Sequence, residues 1–384
     1  MDGESSVRLG VIGLGVQGSR YARLLTDNQV PGMVLGAVAG RSPRTASGAA
    51  DLGVPYFPGY QAMIDSGTVD AVVTTGPHAT HPAMASYALE HGVHALVEKP
   101  IGLHTRQARE LIAVAEAHPE LTFAAFLNQR TNPVFADLKG LLDSGELGAL
   151  RHTSWIITTW WRPQGYHDQS AWRATWRGEG GGVLVNQAPH QLDLWLWLCG
   201  VPRSVFAKCG YGFRRDIAVE DEVNALVDFG AGVTGSFLTS THDLVGTDRL
   251  EILCDRGKVV VEDSSRVRIT RLADDERTLS AGLDADDLNR MFTGGFDPSA
   301  WATTDVRTYQ PSLDQHREVL RNFAAAIRGE EPLIAPGAEG IHAVRLANAI
   351  HLSSWLGREV SVTDLDEDSY LAELNRRIAD EAGR

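Results

Sequence analysis

Three glycines near the start of the chain have a spacing that suits nucleotide binding. Gly13, Gly15 and Gly18 directly follow the apolar run Val7–Ile12 and open a stretch with helical periodicity. In a strand–turn–helix unit, such glycines allow a tight turn, a close approach of pyrophosphate to the backbone and close packing of helix on strand. Phosphate also binds well at a helix amino terminus. The sequence therefore predicts a dinucleotide site that includes Gly13, Gly15, Val16, Gln17 and Gly18.

The end of the second predicted strand bears on which dinucleotide is bound. NAD sites usually have an acidic residue there, ~20 residues after the glycines, but no Asp or Glu lies between Asp27 and Asp51. Arg41, Ser42 and Arg44 occupy the stretch instead, and guanidinium and hydroxyl groups can bind a 2′-phosphate. We expect NADP or NAD, with NADP favoured. Arg41 stacked on adenine would instead allow either cofactor.

A lysine stands where a ligand crevice is expected. Lys99 follows the apolar run that ends at Val97. The carboxyl ends of parallel strands face the crevice of a doubly wound sheet, so Lys99 should point toward the nicotinamide.

The elements that position these residues fall into two halves. Apolar runs alternate with amphipathic segments up to residue 126, which indicates a doubly wound parallel sheet. The runs are Val7–Ile12, Met33–Ala39, Val69–Thr75, Val93–Val97 and Leu121–Phe126. Successive strands with turns from residue 205 to 272 predict an open, mainly antiparallel sheet, followed by an irregular stretch from residue 273 to 310. We predict an α/β plus α+β chain, with a Rossmann domain over residues 1–127 and a substrate-binding and oligomerisation α/β domain over residues 128–384.

The second half is rich in tryptophan. Seven of the nine tryptophans lie between Trp155 and Trp197, interleaved with arginines. Flat aromatic faces beside hydrogen-bonding groups suit a sugar ring, whose C–H face is apolar and whose rim is hydroxylated. The expected substrate is a carbohydrate. The candidate contacts in this segment are Tyr166, Trp172, Arg173 and Trp176, with core packing as the alternative for the tryptophans.

Four segments in order along the chain carry a family resemblance. They are Gly13–Gly18, Thr75–His81, Glu98–Pro100 and Gly180–His190. Together they resemble the Gfo/Idh/MocA family of glucose-fructose oxidoreductases and inositol dehydrogenases, over nearly the whole chain.

The resemblance implies roles for individual residues. Lys99 would hold the substrate hydroxyl beside the nicotinamide, and Glu98 would support the ribose and the lysine. His190 would be the proton acceptor or its close partner, and Asn186 would be the third catalytic residue. Many family members have Asp where this chain has Asn186, so whether His190 or Lys99 is the base stays open. The resemblance also implies further contacts to the cofactor from Thr75, Pro77, His78 and His81, and to the substrate from Lys99, Arg130, Asn186 and His190.

The same resemblance implies an NAD(P)-dependent sugar dehydrogenase acting on CH–OH. The segment ending in Asn186–His190 is most similar to the branch that acts on glucosides, where oxidation at C3 is expected. An inositol or cyclitol dehydrogenase is the alternative enzyme, and a non-catalytic dinucleotide-binding sensor is the alternative class. A homodimer or homotetramer through the C-terminal sheet is also implied.

Composition excludes other classes of function. The formal net charge is −14 with no basic run, which disfavours binding to nucleic acid or to an anionic membrane surface. The first residues show no export signal and no apolar stretch reaches the ~20 residues of a membrane span, so we expect a cytoplasmic protein. The three cysteines lack metal-ligand or disulfide spacing, and we expect no metal site.

Overall fold

The computed structural model describes residues 6–310 and 314–382, and it contains two β-sheets. The strands of the first sheet are β1 Val7–Ile12, β2 Met33–Ala39, β3 Tyr56–Phe57, β4 Ala71–Thr74, β5 His94–Val97 and β6 Phe123–Ala125. All pairs are parallel, and the spatial order is β3-β2-β1-β4-β5-β6.

Helices alternate with these strands and pack apolar side chains on the sheet. They are α1 Val16–Thr26, α2 Pro43–Asp51, α3 Tyr60–Asp65, α4 His81–Glu90 and α5 Thr105–Ala117. The chain winds outward from β1 in one direction and from β4 in the other. A crevice therefore opens beyond the carboxyl ends of β1 and β4, which is where ligands bind in such sheets.

The second sheet has nine strands. They are β7 Leu150–Ile157, β8 Ser204–Tyr211, β9 Glu220–Gly230, β10 Val233–Ser240, β11 Asp248–Cys254, β12 Gly257–Glu262, β13 Arg266–Leu272, β14 Ala302–Thr308 and β15 Val360–Ser361. The spatial order is β14-β13-β12-β11-β7-β10-β9-β8-β15. Only β7 and β10 pair in parallel, and the other neighbours are antiparallel.

One face of the second sheet forms a large core with the helices, in which Trp155 and Trp195 are fully buried. The other face leaves Phe206, Leu226 and Ile156 exposed. The remaining helices are α6 Pro133–Asp143, α7 Gln164–His167, α8 Pro189–Cys199, α9 Glu276–Ala281, α10 Ala285–Thr293, α11 Gln315–Ile327, α12 Gly340–Leu356 and α13 Glu367–Ala382. Across the described ranges, none of the helices has the length and apolar character needed to cross a bilayer.

Helix α11 returns to the first sheet although it comes late in the chain. Val319, Leu320 and Phe323 pack in the same core as β1 and α1. The carboxyl-terminal half of the chain therefore contributes part of the support for the dinucleotide fold.

The predicted fold class is confirmed: a parallel Rossmann sheet is followed by a mixed, mainly antiparallel sheet. Two details differ. Strand β3 has only two residues, too few to produce a recognisable pattern. The stretch from residue 273 to 310, expected to be irregular, contains α9, α10 and the edge strand β14, whose mostly exposed side chains conceal the usual alternation. The domain limits at residues 127 and 128 stay a prediction, and residues 1–5, 311–313 and 383–384 within them lie outside the described residues.

Candidate active site

A different structural feature distinguishes each of the three glycine positions after β1. Gly13 has φ +98°, a conformation that L side chains rarely adopt. A Cβ on Gly18 would lie 1.9 Å from the Gly13 carbonyl oxygen and 2.6 Å from Thr75 Oγ1, so this glycine lets α1 pack on the turn. A Cβ on Gly15 would meet no atom of the described residues within 4 Å, so packing within this part of the protein does not require glycine there. The loop thus has the open cradle that a dinucleotide pyrophosphate needs.

A cleft runs from this loop past the carboxyl ends of β2, β4 and β5. It ends beside Trp172 and Arg173, which come from the second half of the chain. Tyr60 and Met84 also line it and were not predicted. Of the predicted cofactor residues, Gly18 packs beneath the loop and the others line the cleft: Gly13, Gly15, Val16, Gln17, Arg41, Ser42, Arg44, Thr75, Pro77, His78, His81, Glu98 and Lys99.

The end of β2 presents two exposed arginines to the cleft. Within residues 6–310 and 314–382, neither Arg41 nor Arg44 has a carboxylate within ion-pair distance. Ser42 caps α2, and its Oγ accepts a hydrogen bond from Thr45 N at 3.2 Å. The guanidinium groups therefore remain available to a ligand phosphate or an adenine ring.

Glu98 and Lys99 lie at the end of β5 in a poorly hydrated environment. Glu98 is 8% exposed, accepts a hydrogen bond from Tyr21 Oη, and has its pKa raised by burial. Lys99 Nζ donates to the backbone oxygen of Asn186 at 2.9 Å. Burial lowers the pKa of Lys99, against the opposing effect of the carboxylates of Glu98 and Glu179. A lysine amine in such a setting can exchange a proton more readily than one in water.

His190 lies in the first turn of α8, immediately after Pro189. Burial lowers its pKa well below the usual range, helped by the positive charge of Lys99 and by His316. Its Nδ1 is buried, and no hydrogen-bonding group in the described part of the chain pairs with it. A neutral imidazole close to Lys99 can accept a proton.

The two histidines after β4 differ in function. Both ring nitrogens of His81 contact carbonyl oxygens, Nδ1 that of Pro100 at 3.0 Å and Nε2 that of Gly76 at 2.9 Å. His81 thus ties the loop after β4 to the segment after Lys99. His78 packs its ring against Trp172, with centroids 6.2 Å apart, and burial lowers its pKa well below the usual range. His78 therefore lies where the two halves of the chain meet at the cleft.

An aromatic and basic cluster flanks that end of the cleft. Trp172 is 39% exposed, and the Arg173 guanidinium lies 5.1 Å from its ring centroid. Arg173 also lies over the Tyr166 ring at 4.5 Å and donates to its hydroxyl at 2.6 Å. Trp172, Arg173 and Tyr166 could thus present a flat face and donors to a sugar.

Of the predicted substrate residues, Lys99, Trp172 and Arg173 line the cleft, and Tyr166, Asn186 and His190 lie next to these three without lining it. Trp176 and Arg130 lie elsewhere. Trp176 is 3% exposed in the second core, where its Nε1 donates to the Ala218 oxygen at 3.0 Å. Arg130 is 4% exposed because Asp193 and Glu339 pair with its guanidinium. Trp176 is held in the core by apolar packing, and Arg130 is held by its ion pairs, so neither side chain lines the cleft.

Sequence reasoning missed Glu179, which is 1% exposed. Its carboxylate accepts hydrogen bonds from Ala174 N at 2.7 Å and from Asn186 Nδ2. Burial raises the pKa of Glu179 to about 7. The only signal in the sequence is its position directly before the glycine run, which by itself does not separate it from a surface carboxylate. His316 on α11 was also missed, and burial lowers its pKa to about 4.

A parallel sheet with a glycine cradle, a cleft beyond the strand ends and a lysine in that cleft define a dinucleotide-binding oxidoreductase fold. Comparison with known families agrees. Residues 7–126 match the oxidoreductase family with NAD-binding Rossmann fold, and residues 135–260 match the GFO/IDH/MocA C-terminal domain. The chain belongs to the Gfo/Idh/MocA family of oxidoreductases, as its motifs indicated.

Relatives within the family are distant. The scyllo-inositol 2-dehydrogenase (NAD(+)) of Bacillus subtilis is 26% identical over 283 residues, which cover 70% of this chain and 78% of that protein. The WlbA dehydrogenase of Bordetella pertussis, solved with NADH and UDP-GlcNAcA, has a TM-score of 0.74 at 22% identity and covers 94% of this chain and 100% of its own. Levoglucosan dehydrogenase, solved with NADH and levoglucosan, has a TM-score of 0.76 at 18% identity with the same coverage.

Proposed function

We propose that the protein catalyses NAD(P)-dependent oxidation or reduction of a secondary hydroxyl of a sugar, most readily C3 of a glucoside. The observation that carries this proposal is the position of Lys99. Its amine lies in the cleft that the glycine loop lines at one end and that Trp172 and Arg173 line at the other. One cleft could therefore hold a dinucleotide and a small polyol side by side.

The residues at the cleft have different roles in the proposed reaction. Bound nicotinamide supplies the acceptor or donor of the hydride. Lys99 holds the reacting hydroxyl and stabilises the developing alkoxide, because its amine is fixed on the Asn186 carbonyl. His190 accepts the hydroxyl proton or assists Lys99 in doing so, since its imidazole is held neutral by burial. Lys99 and His190 are both present, which argues against a non-catalytic sensor.

A glucoside is supported by the cluster at the end of the cleft. Trp172 offers a flat face, and Arg173 and Tyr166 offer donors to ring hydroxyls. The glucoside-like segment from Asn186 to His190 follows the glycine run that leads into α8. Two structural neighbours bind sugar ligands in their own crystals, levoglucosan in one and UDP-GlcNAcA in the other.

An inositol or cyclitol dehydrogenase is the second candidate. The specific observation in its favour is the similarity to scyllo-inositol 2-dehydrogenase over 70% of the chain. A cyclitol also offers a ring of secondary hydroxyls to Lys99, so the same chemistry would apply.

NADP is proposed as the preferred cofactor over NAD. The support is the pair of exposed arginines at the end of β2, Arg41 and Arg44, where an NAD site usually has a carboxylate. The structural neighbours with NADH show that the family fold can also accept the cofactor without a 2′-phosphate.

We further propose a homodimer or homotetramer in the cytoplasm. The open face of the second sheet exposes Phe206 and Leu226, which lie directly opposite each other on β8 and β9. Apolar area of this kind is typical of subunit contacts. The three cysteines are all unpaired, as suits a reducing compartment. Analytical ultracentrifugation would measure the assembly, and a strictly monomeric protein would refute that part.

One experiment tests the activity. Purified protein is incubated with NADP or NAD and with methyl glucosides, free hexoses and inositols, and the reduced-nicotinamide absorbance is followed. The product is then assigned by NMR, where a ketone at C3 of a glucoside is expected. Preferential turnover of an inositol would favour the second candidate, and no turnover across the panel would refute both.

A further inference from the structure

Glu179 is a buried carboxylate that lies between the loop carrying Trp172 and Arg173 and the pair formed by Asn186 and Lys99. It lies directly before the glycine run, and both of its oxygens accept hydrogen bonds. One oxygen holds the backbone amide of Ala174, a non-glycine residue at φ +54° that follows Arg173. The other holds the side-chain amide of Asn186. Glu179 thus connects the loop that carries Arg173 with the residue that binds Lys99.

The contact to Asn186 has a chemical consequence. When ionised, the Glu179 carboxylate accepts but does not donate, so above its pKa of about 7 the amide nitrogen of Asn186 faces Glu179. The amide oxygen of Asn186 is then the atom left to accept a hydrogen bond. The backbone oxygen of the same residue accepts from Lys99 Nζ at 2.9 Å. Glu179, Asn186 and Lys99 therefore form one connected series.

We infer that Glu179 is a positioning residue for the reaction proposed above. It orients Asn186, and it supplies the negative charge that stabilises Lys99 when the amine carries a proton. The chain thereby has a carboxylate within this series although position 186 itself is an amide. The inference rests on the proposed function, in which Lys99 handles the reacting hydroxyl.

The electrostatics of the series support this role. The Glu179 carboxylate raises the pKa of Lys99 while burial lowers it. Burial raises the pKa of Glu179 itself to about 7, against the opposing effects of Ala174 N, Arg173, Asn186 and Lys99. Five other charged or titratable groups interact electrostatically with Glu179 or Lys99. They are Glu98, His78, His81, His190 and Arg173.

The variant Glu179→Gln tests the role. It preserves the shape of the side chain but removes the charge. We expect kcat to fall by about 10- to 100-fold, as when a residue that orients a catalytic group is lost, with KM and the NADH dissociation constant within about threefold of wild type. The limb of the pH profile that follows Lys99 should move to lower pH, because an amine without its anionic neighbour loses its proton more easily.

A direct measurement avoids dependence on the substrate. Lys99 is acetylated with trace acetic anhydride across a pH series, and its labelling is quantified by mass spectrometry. The half-point should fall in Glu179→Gln. Glu381→Gln is the matched control, since Glu381 holds the backbone amides of Trp176 and Arg177 in the same segment. The control should leave the labelling curve and the pH profile of kcat unchanged.

An exchange variant tests the charge itself. In Glu179→Gln/Asn186→Asp, the amide and the carboxylate change places across the same hydrogen bond. This variant should recover about tenfold of the kcat lost in Glu179→Gln. Three results would each overturn the inference. They are wild-type kcat and labelling in Glu179→Gln, the same losses in Glu381→Gln, and no recovery in a folded exchange variant that binds NADH. A wild-type protein that oxidises neither glucosides nor inositols would refute the proposed function, whereas the labelling result would still decide the coupling of Glu179 to Lys99.

Discussion

Gly15 and Gly18 allow cofactor binding and folding to be separated by two small changes. In Gly15→Ala the added Cβ would meet no atom of the described residues within 4 Å, whereas in Gly18→Ala it would lie 1.9 Å from the Gly13 carbonyl oxygen. We expect the first methyl group to enter the space that a bound pyrophosphate would occupy. The second cannot be accommodated without a shift of the turn or of α1.

The expected magnitudes follow from these contacts. Alanine at a helix interior is preferred over glycine by about 1 kcal/mol, but overpacking against backbone costs about 1–3 kcal/mol and displaces the helix. The net destabilisation is therefore up to about 2 kcal/mol, and Gly18→Ala should lower the melting temperature by up to about 4–8 °C, at roughly 2–4 °C per kcal/mol for a domain of this size. In Gly15→Ala the poorer cap and the reduced freedom of the unfolded chain act in opposite directions. Its stability should change by less than about 1 kcal/mol.

Cofactor binding should show the converse pattern. We expect the dissociation constant of NADH and NADPH to rise at least about tenfold in Gly15→Ala, which corresponds to ~1.4 kcal/mol. Fluorescence titration of the reduced cofactor measures this, and thermal melting without cofactor measures stability. Gly140→Ala in α6 is the control, because its Cβ also meets nothing within 4 Å and it does not line the cleft. Native cofactor affinity in Gly15→Ala, or a melting temperature lowered as far as in Gly18→Ala, would refute the reasoning.

Three further predictions concern the cleft. Lys99→Ala and His190→Ala should each lower kcat by about 10²-fold or more while the cofactor still binds, and near-native turnover in both would exclude them as the acid/base pair. Arg41→Ala should raise KM for NADP far more than KM for NAD, by an amount consistent with ~1.5–3 kcal/mol for a charged hydrogen bond; tighter binding of NAD by the wild type would contradict it. Trp172→Ala should raise KM for the sugar and lower kcat, with little effect on the melting temperature. Trp176→Ala truncates a buried side chain, which lowers the free energy of unfolding by about 3–5 kcal/mol, so it should chiefly lower the melting temperature.

Local patterns were sufficient for much of the fold. The alternation of apolar runs with helical segments predicted the parallel sheet because strands buried on both faces need apolar residues throughout. Strand β3 and the edge strand β14 were not recognised, the first because it has two residues and the second because its side chains are mostly exposed. A sequence indicates a strand through its pattern of apolar and polar residues, and neither of these two strands has a recognisable pattern.

The cofactor side of the cleft also follows from the sequence, since the glycine loop and the residues after β2, β4 and β5 are local to the strand ends. The substrate side does not. Trp172 and Trp176 are four residues apart in the same tryptophan-rich segment, yet one lines the cleft and the other lies in the core. Arg130 pairs with Asp193 and Glu339, which lie far from it in the chain. Glu179 and Asn186 are close in sequence, but their contact depends on how the glycine run between them folds. The sequence by itself determined the dinucleotide fold and the family of the protein, because those depend on periodicity and motif. Only the tertiary structure decided which polar and aromatic side chains line the cleft, because that depends on how the loops fold and on packing and charge pairing between segments far apart in the chain.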